Sequence, residues 1–183
     1  KAMEKIRFGV VGSGGMATAR MQAFARLEGC ELVALAARNP ETGPPLAAQY
    51  RIDLHTDWHE LVARRDVDAV LVMTHNESHG PIATAALEAG KHVFAEYPLA
   101  RRLEEGERLM ELAQTAGRVL RLSHDESLSG LYRQLKKEVD ELGPLLTGLF
   151  ARLTPGRGAR PEVLFNLEIS GPPSLFFVYQ VYP

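Results

Sequence analysis

The feature that most restricts this chain is an apolar run that passes straight into glycines. Residues 6–11 read IRFGVV, and GSGGMA follows at 12–17. Gly12, Gly14 and Ala17 fit the G-x-G-x-x-G/A pattern between a β-branched strand and the start of a helix. The first glycine permits the tight turn, and the second lets a pyrophosphate approach the backbone. The small third residue lets helix and strand pack closely. Free N–H groups at the helix start then face the anion. The whole loop, Gly12, Ser13, Gly14, Gly15, Met16 and Ala17, is the candidate dinucleotide cradle.

Downstream, two periods alternate. Small and apolar residues at Ala17, Met21, Phe24 and Ala25 predict a helix over 16–27, stopped by Gly29 in a positive-φ conformation. Strands are expected at 31–37, at 52–54 (weakly), and at 68–73, 91–96 and 119–122. A helix over 44–50 accommodates Pro44 and Pro45 only in its first turn. Asp57 and Glu60 have capping-box spacing and open another, carrying Leu61 and Val62. Further helices are expected at 81–89, closed by Gly90, and at 103–116, ended by Gly117. Strands alternating with such helices imply right-handed crossovers and a doubly wound parallel sheet of Rossmann type.

The rhythm changes near residue 122. An amphipathic helix through Leu128, Leu131, Leu135, Val139 and Leu142 and a strand at 145–153 are expected there. Residues 1–122 therefore read as an NAD(P)-binding domain. Residues 123–183 read as the opening of a second, α+β domain for substrate and oligomerisation, with its remainder absent from the sequence. Lys1 and Ala2 ahead of Met3 read as a tag remnant.

Charge and composition exclude several functions. Lys plus Arg number 21 and Asp plus Glu 23, so there is no basic excess to hold a nucleic acid. No apolar run approaches the roughly 20 residues of a membrane span. The single cysteine, Cys30, precludes an internal disulfide and fits a reducing compartment, and the N-terminus lacks a secretory pattern. A cytoplasmic protein is the expectation. His55 with His59, and His75 with His79, are spaced as helical metal pairs, but each straddles a helix start and no third ligand completes a site, so no metal is expected. His92 and Trp58 read as structural residues and Arg101–Arg102 as a solvated helix start; Cys30 reads as a small, partly buried side chain without activation.

An NAD-specific site would place Asp or Glu about 20 residues beyond the glycines. The second strand instead ends Ala36-Ala37-Arg38-Asn39, with no carboxylate before Glu41. Arg38 suits a 2′-phosphate, which a guanidinium binds with planar hydrogen bonds, so NADP(H) is the preferred cofactor and NAD(H) the alternative.

Two later motifs carry a family resemblance. Thr74-His75-Asn76-Glu77-Ser78-His79 follows the fourth strand, and AGKHVFAEYP occupies 89–98. With the glycine loop, they make residues 6–125 resemble the Gfo/Idh/MocA oxidoreductases, whose patterns are T-P-N-x-x-H and A-G-K-H-V-x-x-E-K-P. The resemblance implies that Thr74, Asn76 and His79 lie along the cofactor and Glu96 near the nicotinamide ribose. Tyr97 stands where the family has lysine, and His75 where it has proline. Residues 171–183 also lack the D-x-x-x-H pair of the family's sugar and polyol dehydrogenases. These departures resemble the biliverdin reductase branch, with E-Y-P at this point, and His124, Glu126 and Leu128 resemble its H-x-E-x-L segment.

Residue chemistry points the same way. A lysine can relay a proton from a substrate hydroxyl, whereas a phenol, with an ordinary pKa near 10, donates a hydrogen bond but is a poor base. Reduction of a small conjugated or carbonyl acceptor, a bilin-like tetrapyrrole among them, fits better than oxidation of a sugar alcohol. Tyr97, Glu96, His124 and Glu126 are the candidate catalytic residues, with Pro98 expected to hold Tyr97 extended at the sheet's carboxyl edge. A sugar or polyol dehydrogenase that tolerates Tyr97 and a non-catalytic dinucleotide sensor remain alternatives. Pairing of copies through the second domain is left open.

Overall fold

The computed structural model describes residues 4–124 and 129–141. The chain divides after Leu122 into two compact units.

In the first unit, six strands form one parallel sheet: β1 (Ile6–Val11), β2 (Cys30–Ala36), β3 (Asp53–His55), β4 (Ala69–Val72), β5 (His92–Ala95) and β6 (Leu120–Leu122). Their order is β3-β2-β1-β4-β5-β6, all neighbours parallel. This is the Rossmann order, with the winding reversing between β1 and β4. Every residue of β4 is buried, as expected of a central strand covered on both faces. One core cluster contains Leu61, Ile82, Leu87 and Leu109, and the other Met21, Leu35, Leu46 and Leu71. The helices supplying them are α1 (Gly15–Phe24), α2 (Gly43–Tyr50), α3 (Trp58–Val62), α4 (Asn76–Glu88) and α5 (Leu103–Thr115).

Three local expectations are corrected. The first helix ends at Phe24 with Ala25 as its C-cap in right-handed geometry, and Gly29 is not among the positive-φ residues. Hydrogen bonds from Arg26, Leu27 and Cys30 to nearby carbonyls carry the chain down to β2 instead. The fourth helix starts at Asn76, five residues before the expected Pro81. At the helix's sixth position, the missing proline N–H leaves only the first-turn carbonyl of Glu77 without its helical donor. Asp57 does cap α3, accepting from the His59 N–H at 3.0 Å, but Glu60 binds His55 Nδ1 at 3.0 Å rather than completing a capping box. Gly90 and Gly117 adopt φ of +71° and +62° just beyond α4 and α5, as anticipated.

His92 is structural, as expected: its Nδ1 accepts the Val119 N–H at 2.9 Å. Cys30 is half-buried, and burial pushes its thiol pKa up, away from reactivity. In the second unit, α6 (Gly130–Glu141) is found where the leucine spacing predicts it. Leu128, Leu142 and the expected strand at 145–153 lie outside the described residues. Among the described residues, no helix is long and apolar enough to cross a membrane.

Candidate functional site

All the loops that carry the sequence motifs leave the carboxyl ends of strands, the edge at which open α/β sheets bind ligands. After β1, Gly12 has φ +114°, and a Cβ there would collide with the Met73 carbonyl at the end of β4. Only glycine lets the two central strands end so close together. Gly14 is the N-cap of α1, and a Cβ on it or on Gly15 would meet nothing within 4 Å. Alpha1 begins with no side-chain cap and no acid in its first turn, so its leading N–H groups remain for an external anion. Ala17 is fully buried, giving the close helix–strand packing expected of the third small residue. Met16, by contrast, is half exposed. The open space over Gly14 and the uncapped helix start fit the pyrophosphate of a dinucleotide.

Beside this loop lies a cleft of about 300 Å³, lined among others by Gly12, Arg38, Asp57, Trp58, Thr74 and Ser78. Arg38 is exposed, and no carboxylate among the described residues pairs with it. Asp57 is already engaged by the His59 N–H and by His59 Nδ1 at 2.6 Å, bonds that hold its carboxyl below the usual range. Ser13 and Thr42 share a 2.6 Å hydroxyl hydrogen bond, which ties the glycine loop to the N-cap of α2. Trp58 packs against the core as expected, but it also lines the cleft and stacks on His59 with ring centroids 3.6 Å apart.

The loops after β4 and β5 are joined by His79. Its ring is 1% exposed, with Nδ1 2.6 Å from the Pro98 carbonyl and Nε2 3.1 Å from that of Thr74. His79 thus holds the Thr74 loop and the Tyr97–Pro98 loop in one arrangement. Because α4 starts early, Asn76, Ser78 and His79 sit in or next to its first turn rather than in a loop. Tyr97 is half-buried at a bend, and its bond to Pro98 is cis. His124 lies two residues beyond β6, in the second unit, and Glu126 lies outside the described residues.

One residue that sequence reasoning missed is Arg20. From α1 its Nε donates to Glu96 Oε1 at 2.8 Å, and the two side chains are only 18% and 13% exposed. Its partner lies 76 residues away, beyond any local pattern. Position 20 falls one helical turn after Ala17, and that spacing was the signal available.

Comparisons with known proteins agree with this geometry. The pattern of an oxidoreductase family with an NAD-binding Rossmann fold, Gfo/Idh/MocA, matches residues 6–124. The chain is 30% identical over 135 residues to 4-carboxy-2-hydroxymuconate-6-semialdehyde dehydrogenase of Sphingobium sp., covering 73% of this chain and 43% of that protein. It is 34% identical over 140 residues to an inositol 2-dehydrogenase/D-chiro-inositol 3-dehydrogenase of Halalkalibacterium halodurans, covering 74% and 40%. Among solved structures, biliverdin reductase of Synechocystis sp., in complex with biliverdin and NADP+, superposes with a TM-score of 0.86 at 28% identity. That match covers 95% of this chain and 55% of the reductase. The chain thus spans less than half the length of these curated relatives.

Proposed function

Because the chain belongs to the Gfo/Idh/MocA oxidoreductase family, with its NAD-binding Rossmann fold, we propose that it is the cofactor-binding part of an NADP(H)-dependent reductase of a small unsaturated or carbonyl acceptor. The observation that carries the cofactor choice is Arg38, a guanidinium on the wall of the cleft without a carboxylate partner among the described residues. Its planar fork matches the 2′-phosphate, with the Ser13 and Thr42 hydroxyls on the neighbouring loop as further hydrogen-bonding groups. Asp57, the one carboxylate lining the cleft among the described residues, is occupied by capping α3 and is a poor ribose anchor.

In this reading the loop from Gly12 to Ala17 holds the pyrophosphate, and Thr74, Asn76 and His79 build the wall beside it. Glu96 takes the ribose nearest the reacting ring, its charge balanced by Arg20. A bound reduced nicotinamide supplies the hydride. Tyr97 donates a hydrogen bond or proton to the acceptor from its hydroxyl, with His124 and Glu126 as the further candidates for the proton. Tyrosine in the family's lysine position, together with the likeness to a biliverdin reductase over 95% of the chain, supports a bilin-like tetrapyrrole as substrate. A second reading, a sugar or polyol dehydrogenase, is favoured by the inositol dehydrogenase relative. The protein acts on small molecules and not on nucleic acid or membranes, is cytoplasmic, and pairs, where it does, through the second domain.

The test compares NADPH and NADH binding by calorimetry, then follows absorbance with biliverdin, keto-sugars and inositol as substrates. NADPH is expected to bind more tightly, and Arg38→Ala to remove one or two powers of ten of that preference, as a charge-assisted phosphate contact of ~1.5–3 kcal/mol requires. Equal affinities for the two cofactors in the unmodified protein overturn the NADP(H) reading. Turnover of inositol with NADP+ in place of bilin reduction selects the second reading.

A further inference from the structure

The opposite edge of the sheet carries a second concavity. About 460 Å³ in volume, it opens where β1, β4 and β5 begin and where the chain enters β6. Beta1 is six residues long, so this groove lies about 20 Å from the glycine loop. Nothing in the dinucleotide reading uses it. Its volume falls in the range of small-molecule sites.

The lining is mostly charged. Lys5, Arg7, Arg65, Lys91 and Arg118 face it with His92, against the two carboxylates of Glu4 and Asp68. The local pairing leaves cations over. Arg7 takes both oxygens of Asp68, Nε to Oδ2 at 2.9 Å and Nη2 to Oδ1 at 2.8 Å, which holds that carboxyl down to about 2 and keeps it ionised and committed. The nearby Asp66 is bound by Arg64 at 2.6 Å. Lys91 donates to the carbonyls of Arg64 and Val67 at 2.6 and 2.7 Å, which fixes its ammonium in place with one of three N–H donors to spare. Burial pushes its pKa down; among the neighbouring charges Asp68 and Asp66 oppose that shift, while Arg7 and Arg118 act with it.

Arg65 and Arg118 have no carboxylate partner among the described residues. Arg118 lies across Gly90, its Nη2 3.8 Å from where a Cβ would sit, so the glycine keeps the floor of the groove clear. The Val119 N–H points at His92 Nδ1, which leaves the proton of a neutral ring on Nε2 as one more donor. Two guanidinium forks, a fixed ammonium and an imidazole N–H around one open volume are a donor set for carboxylate or phosphate groups, which accept bidentate hydrogen bonds from arginine. A groove of this volume takes more than one such group. We propose that it is a second ligand site, binding a small polyanion with two or more carboxylate or phosphate groups between Arg65 and Arg118, with Lys91 beneath and Lys5 at the rim.

The test uses the whole 183-residue chain, saturated with NADPH so that the glycine loop is filled. Citrate and pyrophosphate are titrated separately by calorimetry at ionic strength held constant with sodium chloride. Saturable one-to-one binding of at least one probe is expected, weakened about tenfold or more by Arg65→Ala or Arg118→Ala and lost in the double variant. Both arginines are exposed, so the variants keep the fold, which unchanged NADPH affinity and circular dichroism verify. Binding of citrate alone assigns the site to polycarboxylates, and of pyrophosphate alone to phosphorylated ligands. If neither probe saturates, or the double variant binds as the unmodified chain does, the site is overturned.

Discussion

The ion pair between Arg20 and Glu96 gives the sharpest test of how the site is held. It links α1 to the end of β5 through a contact of 2.8 Å. Exposed pairs contribute about 0–1 kcal/mol, whereas removing one partner of a fully buried pair costs about 3–5 kcal/mol. At 18% and 13% exposure the pair lies nearer the buried limit, so Arg20→Met is expected to cost about 2 kcal/mol. That is roughly a thirtyfold shift in the folding equilibrium. Glu96→Gln retains an acceptor for the guanidinium and should cost about 1 kcal/mol. Arg20 also makes other interactions, so the two variants and their double combination are run as a cycle that isolates the pair. Urea unfolding is followed by fluorescence of Trp58, the only tryptophan, which lies in the same compact unit as both residues. The expected coupling is about 1–1.5 kcal/mol and persists between about 0.1 M and 1 M salt, because a pair this enclosed is weakly screened. A coupling under about 0.3 kcal/mol, or one abolished by salt, refutes the reasoning and makes the contact a surface pair.

Two further outcomes are expected. Tyr97→Phe should slow single-turnover oxidation of NADPH by the acceptor about 10²-fold if the phenol gives up its proton, and nearer tenfold if it only orients the acceptor, with NADPH affinity unchanged; an unchanged rate removes Tyr97 from the reaction. The Asp68 carboxyl is held down to about 2 in the folded chain, chiefly by its hydrogen bonds from Arg7, against an ordinary 3.8, so the stability it provides is complete above about pH 4 and fades as pH falls through 2. In urea unfolding the deficit of Asp68→Asn should therefore shrink from pH 5 to pH 2, and a deficit that stays constant across that range contradicts the assignment.

What was legible in the sequence followed from local rules. The glycines at 12, 14, 90 and 117, the buried run of β4 and the leucine spacing of α6 each encode a backbone requirement within a few residues, and alternation of such segments set the sheet. Element ends were less legible where local signals compete. Pro81 is compatible with a helix start but is placed inside α4, because the turns before it, from Asn76, pack His79 and Gly80 into the interior. The site divides in the same manner. Gly12, Arg38 and Thr74 could be found from motif position, and the structure gathers them on one cleft. The Arg20–Glu96 pair and the two carbonyls held by His79 depend on partners that only the folded sheet brings together.

The three glycines of the loop are not held by the same constraint. A side chain at position 12 meets the Met73 carbonyl, so the chain's own folding requires that glycine. A Cβ at position 14 or 15 would meet nothing within 4 Å among the described residues, and at Gly15, the first residue of α1, alanine would favour the helix. A chain with no dinucleotide there would still need Gly12, whereas a capping side chain at 14 and alanine at 15 would serve α1 better. Under the proposed function, the three glycines answer two separate requirements on adjacent letters: the backbone's own at 12, and room for an occupant at 14 and 15.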